Sequence, residues 1–140
     1  MTERKKLMII DDDPDFVAGM RAILDAAGYE TEVAYNPKDG FAALKARHHD
    51  LLLLDIMMGR GAEGVMMARK IRKEPALESL PILIITGIRE QIAFMFPGQA
   101  VHPNFVPLNE LIEKPVEPDL LLERVAALLK AAETRTPQGT

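Results

Sequence analysis

Three short stretches of the chain are apolar without interruption: residues 7–10 (LMII), 51–54 (LLLL) and 82–85 (ILII), the last preceded by Pro81. Each is too short for a buried helix and is bounded by polar residues, as expected of a strand covered on both faces. Between them the period changes. Apolar residues at 16, 17, 20, 23, 24 and 27 recur at helical spacing. Asp13-Pro14 supplies a capping residue and a first-turn proline, and Gly28 closes the helix. Residues 30–34 alternate weakly and predict an outer strand. Asn36-Pro37 starts a second helix that reaches about residue 47, and residues 63–73 form a third behind the turn Gly59-Arg60-Gly61. Residues 111–113 predict a last short strand, and Glu117-Pro118 opens a final helix to about residue 132.

This alternation predicts an α/β domain, a doubly wound five-stranded parallel sheet with helices on both faces. Residues 87–109 interrupt it. Gly87, Pro97, Gly98, Pro103 and Pro107 break any long helix there. The fourth-helix region is therefore expected to be irregular, with at most a short helix over 90–96. The interval also holds three phenylalanines, Phe94, Phe96 and Phe105, and its Phe94-Met95-Phe96 cluster suits a buried plug better than a partner surface.

With 140 residues the chain is long enough for one sizeable core. A net charge of −4 and the lack of a basic patch visible in the sequence argue against a direct grip on nucleic acid. The absence of cysteine removes disulfides, thiolate metal sites and thiol nucleophiles. No signal peptide or membrane-spanning run is seen, so the sequence predicts a cytoplasmic protein with no membrane partner. The segment before the last strand holds His102 without evident ligand partners. His48 and His49 follow a helix end, where surface positions favourable to the helix dipole are expected. Methionines 57, 58, 66 and 67 are read as core filler.

The polar residues of interest all follow apolar strands: Asp11 and Asp12 after LMII, Asp55 after LLLL, Thr86 after ILII, Lys114 after LIE. In a parallel sheet these ends share one edge, where open α/β folds bind ligands. If the first and third strands are neighbours their ends lie roughly 5 Å apart, and three carboxylates share a small volume. Like charges so close resist ionisation unless a cation joins them. Mg²⁺ accepts carboxylates, waters and phosphate oxygens. With a lysine and a threonine nearby, the set suits phosphoryl transfer, and Asp55 could serve as the nucleophile. Asp13 is the helix cap rather than a ligand.

The segments LMIIDDDPDF, LLLLDIMM, PILIITG and LIEKP, in this order and each at a strand end, resemble the receiver domain of two-component response regulators. The resemblance covers residues 5–132, leaving 133–140 as a flexible tail. It implies a flavodoxin-like strand order 2-1-3-4-5. It implies Asp55 as phosphoacceptor, with Mg²⁺ held by Asp12, Asp55 and the carbonyl of Met57, and by Asp11 through water. It further implies that Thr86 and Lys114 contact the phosphoryl group, that Lys114-Pro115 is cis, and that Gly87 leaves room. The implied phosphodonor is a histidine kinase or phosphotransfer protein. The implied output is contact with a downstream protein target, since the chain ends too soon for an output domain.

Three positions depart from the family pattern: Gly59 stands where proline is usual, Leu111 where an aromatic is usual, and the interval from Thr86 to Lys114 is long. Met57 and Ile88 are apolar where they would flank the phosphoryl group, so slow self-dephosphorylation is expected. A receiver fold that works as a phosphorylation-independent interaction module is the alternative. An aspartate phosphatase using Asp11 and Asp13 would ordinarily need a longer chain. A flavin binder is disfavoured by the three acids.

Overall fold

The computed structural model describes residues 4–56, 58, 63–87 and 110–134, with residues 86, 110 and 134 through their backbone alone. Along the chain run β1 (Lys6–Ile10), α1 (Pro14–Ala26), β2 (Glu30–Ala34), α2 (Pro37–Ala46), β3 (Leu51–Leu54) and α3 (Glu63–Lys73). A 3₁₀ turn (Pro75–Leu77), β4 (Ile82–Thr86), β5 (Glu110–Glu113) and α4 (Pro118–Thr134) follow. The sheet is parallel in the order β2-β1-β3-β4-β5, the order that the resemblance implies. Crossover connections of this kind put helices on both faces.

The apolar runs form the inner strands because both of their faces are covered. Leu7 and Ile9 of β1 join Leu51, Leu53, Leu83, Ile85 and Ile112 in one core with Val17, Met20 and Leu24 of α1 and Leu121 and Val125 of α4. The intervening residues, Met8, Ile10, Leu52, Leu54, Ile82 and Ile84, join Leu44 of α2 and Val65, Ala68 and Ile71 of α3 in the other. The strand period of two thus divides each run between two half-cores. Emptying one of these positions, as in Leu53→Ala, would cost about 2–5 kcal/mol.

Helix ends follow the local chemistry. Asp13 accepts hydrogen bonds from the N–H groups of Asp15 (3.1 Å) and Phe16 (3.3 Å), and Pro14 takes the first turn of α1. Gly28, at φ 98°, leaves the helix through the left-handed region, where a side chain would be strained. Asn36 caps α2 by accepting from the N–H of Asp39 at 2.8 Å. β4 ends one residue past its apolar run, β5 begins one residue earlier than predicted, and α4 continues to Thr134. Hydrogen bonding, rather than apolarity, sets those ends. The predicted short helix over 90–96, the three phenylalanines, His102, Met57, Ile88 and the turn at Gly59 lie outside the described residues. Among the described residues no helix is long and apolar enough to cross a membrane.

Two expectations about side chains need correction. His49 is buried, not at the surface: α2 has already ended, and the ring turns under the sheet edge, 2.9 Å from Oε1 of Glu32 on β2. His48 is the exposed one, 3.0 Å from Asp50. Met58 and Met67 fill core space, but Met66 is 71% exposed. It borders a groove between α2 and α3 lined by Lys38, Phe41, Arg69, Lys70 and Lys73. Nζ of Lys70 lies 4.3 Å from the Phe41 ring centroid. The fold therefore gathers a local basic surface that is scattered in the sequence.

Candidate functional site

Register decides which strand-end residues meet. Ile10 of β1 pairs with Leu54 of β3, so Asp11 and Asp55 leave the sheet side by side. The N–H of Asp55 donates to the carbonyl of Ile10 at 3.0 Å, and that of Asp11 to the carbonyl of Ala34 at 3.2 Å. Both backbones are fixed by the ladder just where the side chains turn into the edge. Asp12 lies exposed beside them. Carboxylate oxygens of Asp11, Asp12 and Asp55 all lie within 4.8 Å of one another.

Lys114, just past β5, reaches across to this cluster. Its Nζ donates to Oδ2 of Asp11 at 3.1 Å and stands 3.6 Å from Oδ2 of Asp55. The other oxygen of Asp11 accepts the N–H of Asp13 at 3.0 Å. Asp11 and Asp55 are buried, at 2% and 5% exposure, so their charges are poorly hydrated and need this cation. Among the described residues, the ammonium of Lys114 faces three carboxylates, an excess of acidic groups. The donors are all hard oxygens at short range with one member open to solvent, a set that fits a small divalent cation such as Mg²⁺.

The backbone of Thr86 is in register with Glu113, which brings the end of β4 beside Lys114. Its side chain and Met57 are outside what is described. Among the described residues, a β-carbon built on Gly87 would meet nothing within 4 Å. The Lys114-Pro115 peptide is cis. Leu111 is half-buried and packs on the core shared by Leu54 and Ile84.

Two contributors escape a reading of the sequence. Gly64, on the first turn of α3, donates its N–H to the carbonyl of Ile56 at 3.0 Å. A β-carbon there would collide with the backbone of Asp55 and Ile56, so the glycine lets α3 close on the end of β3. Phe16 reads as part of the α1 core stripe, yet its ring centroid lies 4.1 Å from Nζ of Lys114. Its place on the first turn of α1, four residues after Asp12, is the signal that could have drawn attention to it.

The family model described as the response regulator receiver domain matches residues 7–126. Phosphate regulon transcriptional regulatory protein PhoB of Pseudomonas aeruginosa is 29% identical over 126 residues, covering 90% of this chain and 52% of PhoB. Protein PilH of the same organism is 26% identical over 124 residues, covering 89% of this chain and 97% of PilH. The chain spans about half the length of PhoB and of several other transcriptional regulators that it matches. A response regulator receiver domain protein (CheY-like) from Methanospirillum hungatei JF-1 has a similar structure. The TM-score is 0.78 at 27% identity, over 95% of this chain and 99% of that one. A match that takes in every strand of the sheet and the edge where the acids gather leads to one conclusion: this chain belongs to the receiver-domain family of two-component response regulators.

Proposed function

We propose that Asp55 is the phosphoacceptor of this receiver domain, loaded by a histidine kinase or phosphotransfer protein in a Mg²⁺-dependent reaction. The observation that carries the reading is the meeting of Asp11, Asp12 and Asp55 within 4.8 Å, with the ammonium of Lys114 against two of them. In the transfer, an oxygen of Asp55 attacks the phosphorus of a phosphohistidine. The P–N bond breaks, its electron pair returns to the imidazole, and a P–O bond forms to give an acyl phosphate. Lys114 is within reach to neutralise the phosphoryl oxygens, and Gly87, with no side chain, leaves them room. Thr86 would add a hydroxyl donor. Asp11, Asp12 and Asp55, with the carbonyl of Met57, would hold Mg²⁺, which when bound supplies further charge neutralisation at those oxygens.

An apolar groove beside Lys114, of about 570 Å³, is lined by Phe16, Gly19, Met20, Ile23, Pro115 and Val116. Its position next to the acceptor supports docking of the phosphodonor protein there. The receiver unit, which runs from residue 5 through the last helix, resides in the cytoplasm and signals through protein contacts rather than through nucleic acid or membrane.

Mass spectrometry after treatment with Mg²⁺ and acetyl phosphate tests the proposal. One phosphoryl group should be gained, and Asp55→Asn should abolish the gain. A wild type that takes up none would instead favour a receiver fold acting as a phosphorylation-independent module, for which Leu111 in place of an aromatic speaks.

A further inference from the structure

The ammonium of Lys114 sits in a socket with three walls. Two are the carboxylates of Asp11 and Asp55, at 3.1 and 3.6 Å. The third is the face of Phe16, with Nζ 4.1 Å from the ring centroid, well inside the range in which a ring quadrupole attracts a cation. The ring is held from both sides. It is half-buried against the core containing Val17 and Met20. The backbone N–H of Phe16 donates to Oδ1 of the Asp13 cap at 3.3 Å, and the N–H of Asp13 donates to Oδ1 of Asp11 at 3.0 Å. The contacts close on themselves: Asp11 binds the lysine directly and, through the cap, anchors the turn that carries the ring.

The three walls differ in what a metal does to them. A divalent cation at the acidic cluster competes with Lys114 for the carboxylates. It does not compete for an uncharged ring, which carries no oxygen ligand. We propose that Phe16 is a positioning residue that keeps the Lys114 ammonium over the acceptor once its carboxylate partners are engaged elsewhere. The inference rests on the reading of Asp55 as phosphoacceptor. It gives the chain a reason to place an aromatic ring, rather than an aliphatic side chain of similar bulk, on the first turn of α1. It also ties the groove to the chemistry, because the ring that touches Lys114 lines the surface on which a phosphodonor protein would rest.

The full-length chain tests this with mono-, di- and trifluorinated phenylalanine at position 16, which weaken the ring quadrupole while nearly preserving its shape, and with Phe16→Leu. In the metal-free protein the ε-methylene protons of Lys114 should resonate upfield through the ring current, and the displacement should vanish in Phe16→Leu. With Mg²⁺ and acetyl phosphate, the phosphorylation rate should fall stepwise with each added fluorine. It should be lower by about three- to thirtyfold in Phe16→Leu. The Mg²⁺ dissociation constant should meanwhile stay within about twofold of the wild type, since the ring touches no metal ligand. Equal rates across the fluorinated series would overturn the proposal, because packing alone would then explain any loss in Phe16→Leu. So would Mg²⁺ binding that weakens in step with the rate, or a Lys114 signal without ring-current displacement. If the wild type gains no phosphoryl group, the acceptor reading fails, and the Lys114 signal by itself decides whether Phe16 holds the ammonium.

Discussion

Oδ2 of Asp55 and Nζ of Lys114 lie 3.6 Å apart, joining the end of the third strand to the residue after the fifth. Neither residue has this neighbour by sequence; β4 stands between their strands. On the proposed reading, the contact would make Lys114 both an aid to a bound phosphoryl group and a rival to a metal ion. Lys114→Met should therefore act in opposite directions on two measurements. Mg²⁺ should bind several-fold more tightly by calorimetric titration, because a competing cation is gone. The rate of phosphorylation by acetyl phosphate should fall by about tenfold or more. Weaker Mg²⁺ binding in the variant would contradict this account.

Metal binding should also appear as stability. Three carboxylates and one ammonium leave a site that gains from a divalent ion, and a ligand that binds only the folded state stabilises it by mass action. At a hundredfold excess over its dissociation constant, Mg²⁺ should add about 2.7 kcal/mol. For a chain of this size that is a rise in melting temperature of roughly 10 °C. Asp55→Asn should lose most of the rise. An equal rise in both proteins would mean that Mg²⁺ acts elsewhere.

Two glycines make a controlled comparison. A β-carbon at Gly64 would strike the carbonyl of Asp55 and the Cα of Ile56, whereas one at Gly19 would meet nothing within 4 Å. Gly64→Ala should destabilise the fold by about 2–3 kcal/mol and weaken Mg²⁺ binding, by displacing the backbone of Asp55. Gly19→Ala, inside α1, should stabilise it by about 0.5–1 kcal/mol. Urea unfolding of the pair reads both signs, and a neutral Gly64→Ala would show that α3 is free to move away from the site.

Acid sensitivity should concentrate at the opposite end of the sheet. The Arg47 guanidinium, hydrogen-bonded to Glu32, holds that carboxyl down at about 2, against the opposing effect of burial and with help from His49. The folded value lies below the ordinary 4.5, so this contribution to stability is complete above pH 4.5 and is lost as pH falls toward 2. Glu32→Gln should lower stability at neutral pH and flatten the decline below pH 4.5. Unchanged slopes of unfolding free energy against pH in that window would exclude Glu32 as the source.

Much of the architecture was legible because its causes are local. β2, β3 and α3 begin and end where the pattern predicts, and Asp13-Pro14 and Asn36-Pro37 announce their helices through hydrogen bonds spanning two or three residues. His49 was misread for the complementary reason. Its partner, Glu32, is 17 residues away and on another strand, so nothing nearby in the chain marks the ring as buried. The spacing of Phe16 places it on the core, where it packs, but is silent about the ring face that it offers to Lys114.

The sequence by itself determined the alternation of strands and helices, the burial of the apolar runs, and the placing of each candidate residue at a strand end. Those follow from periodicity and capping, which act over a few residues. Only the tertiary structure decided that Asp11 and Asp55 emerge side by side, that Lys114 bridges them over an aromatic face, and that Gly64 admits α3 against the end of β3. Those relationships depend on strand order and register, and register is set by the packing of whole faces rather than by any residue's immediate neighbours.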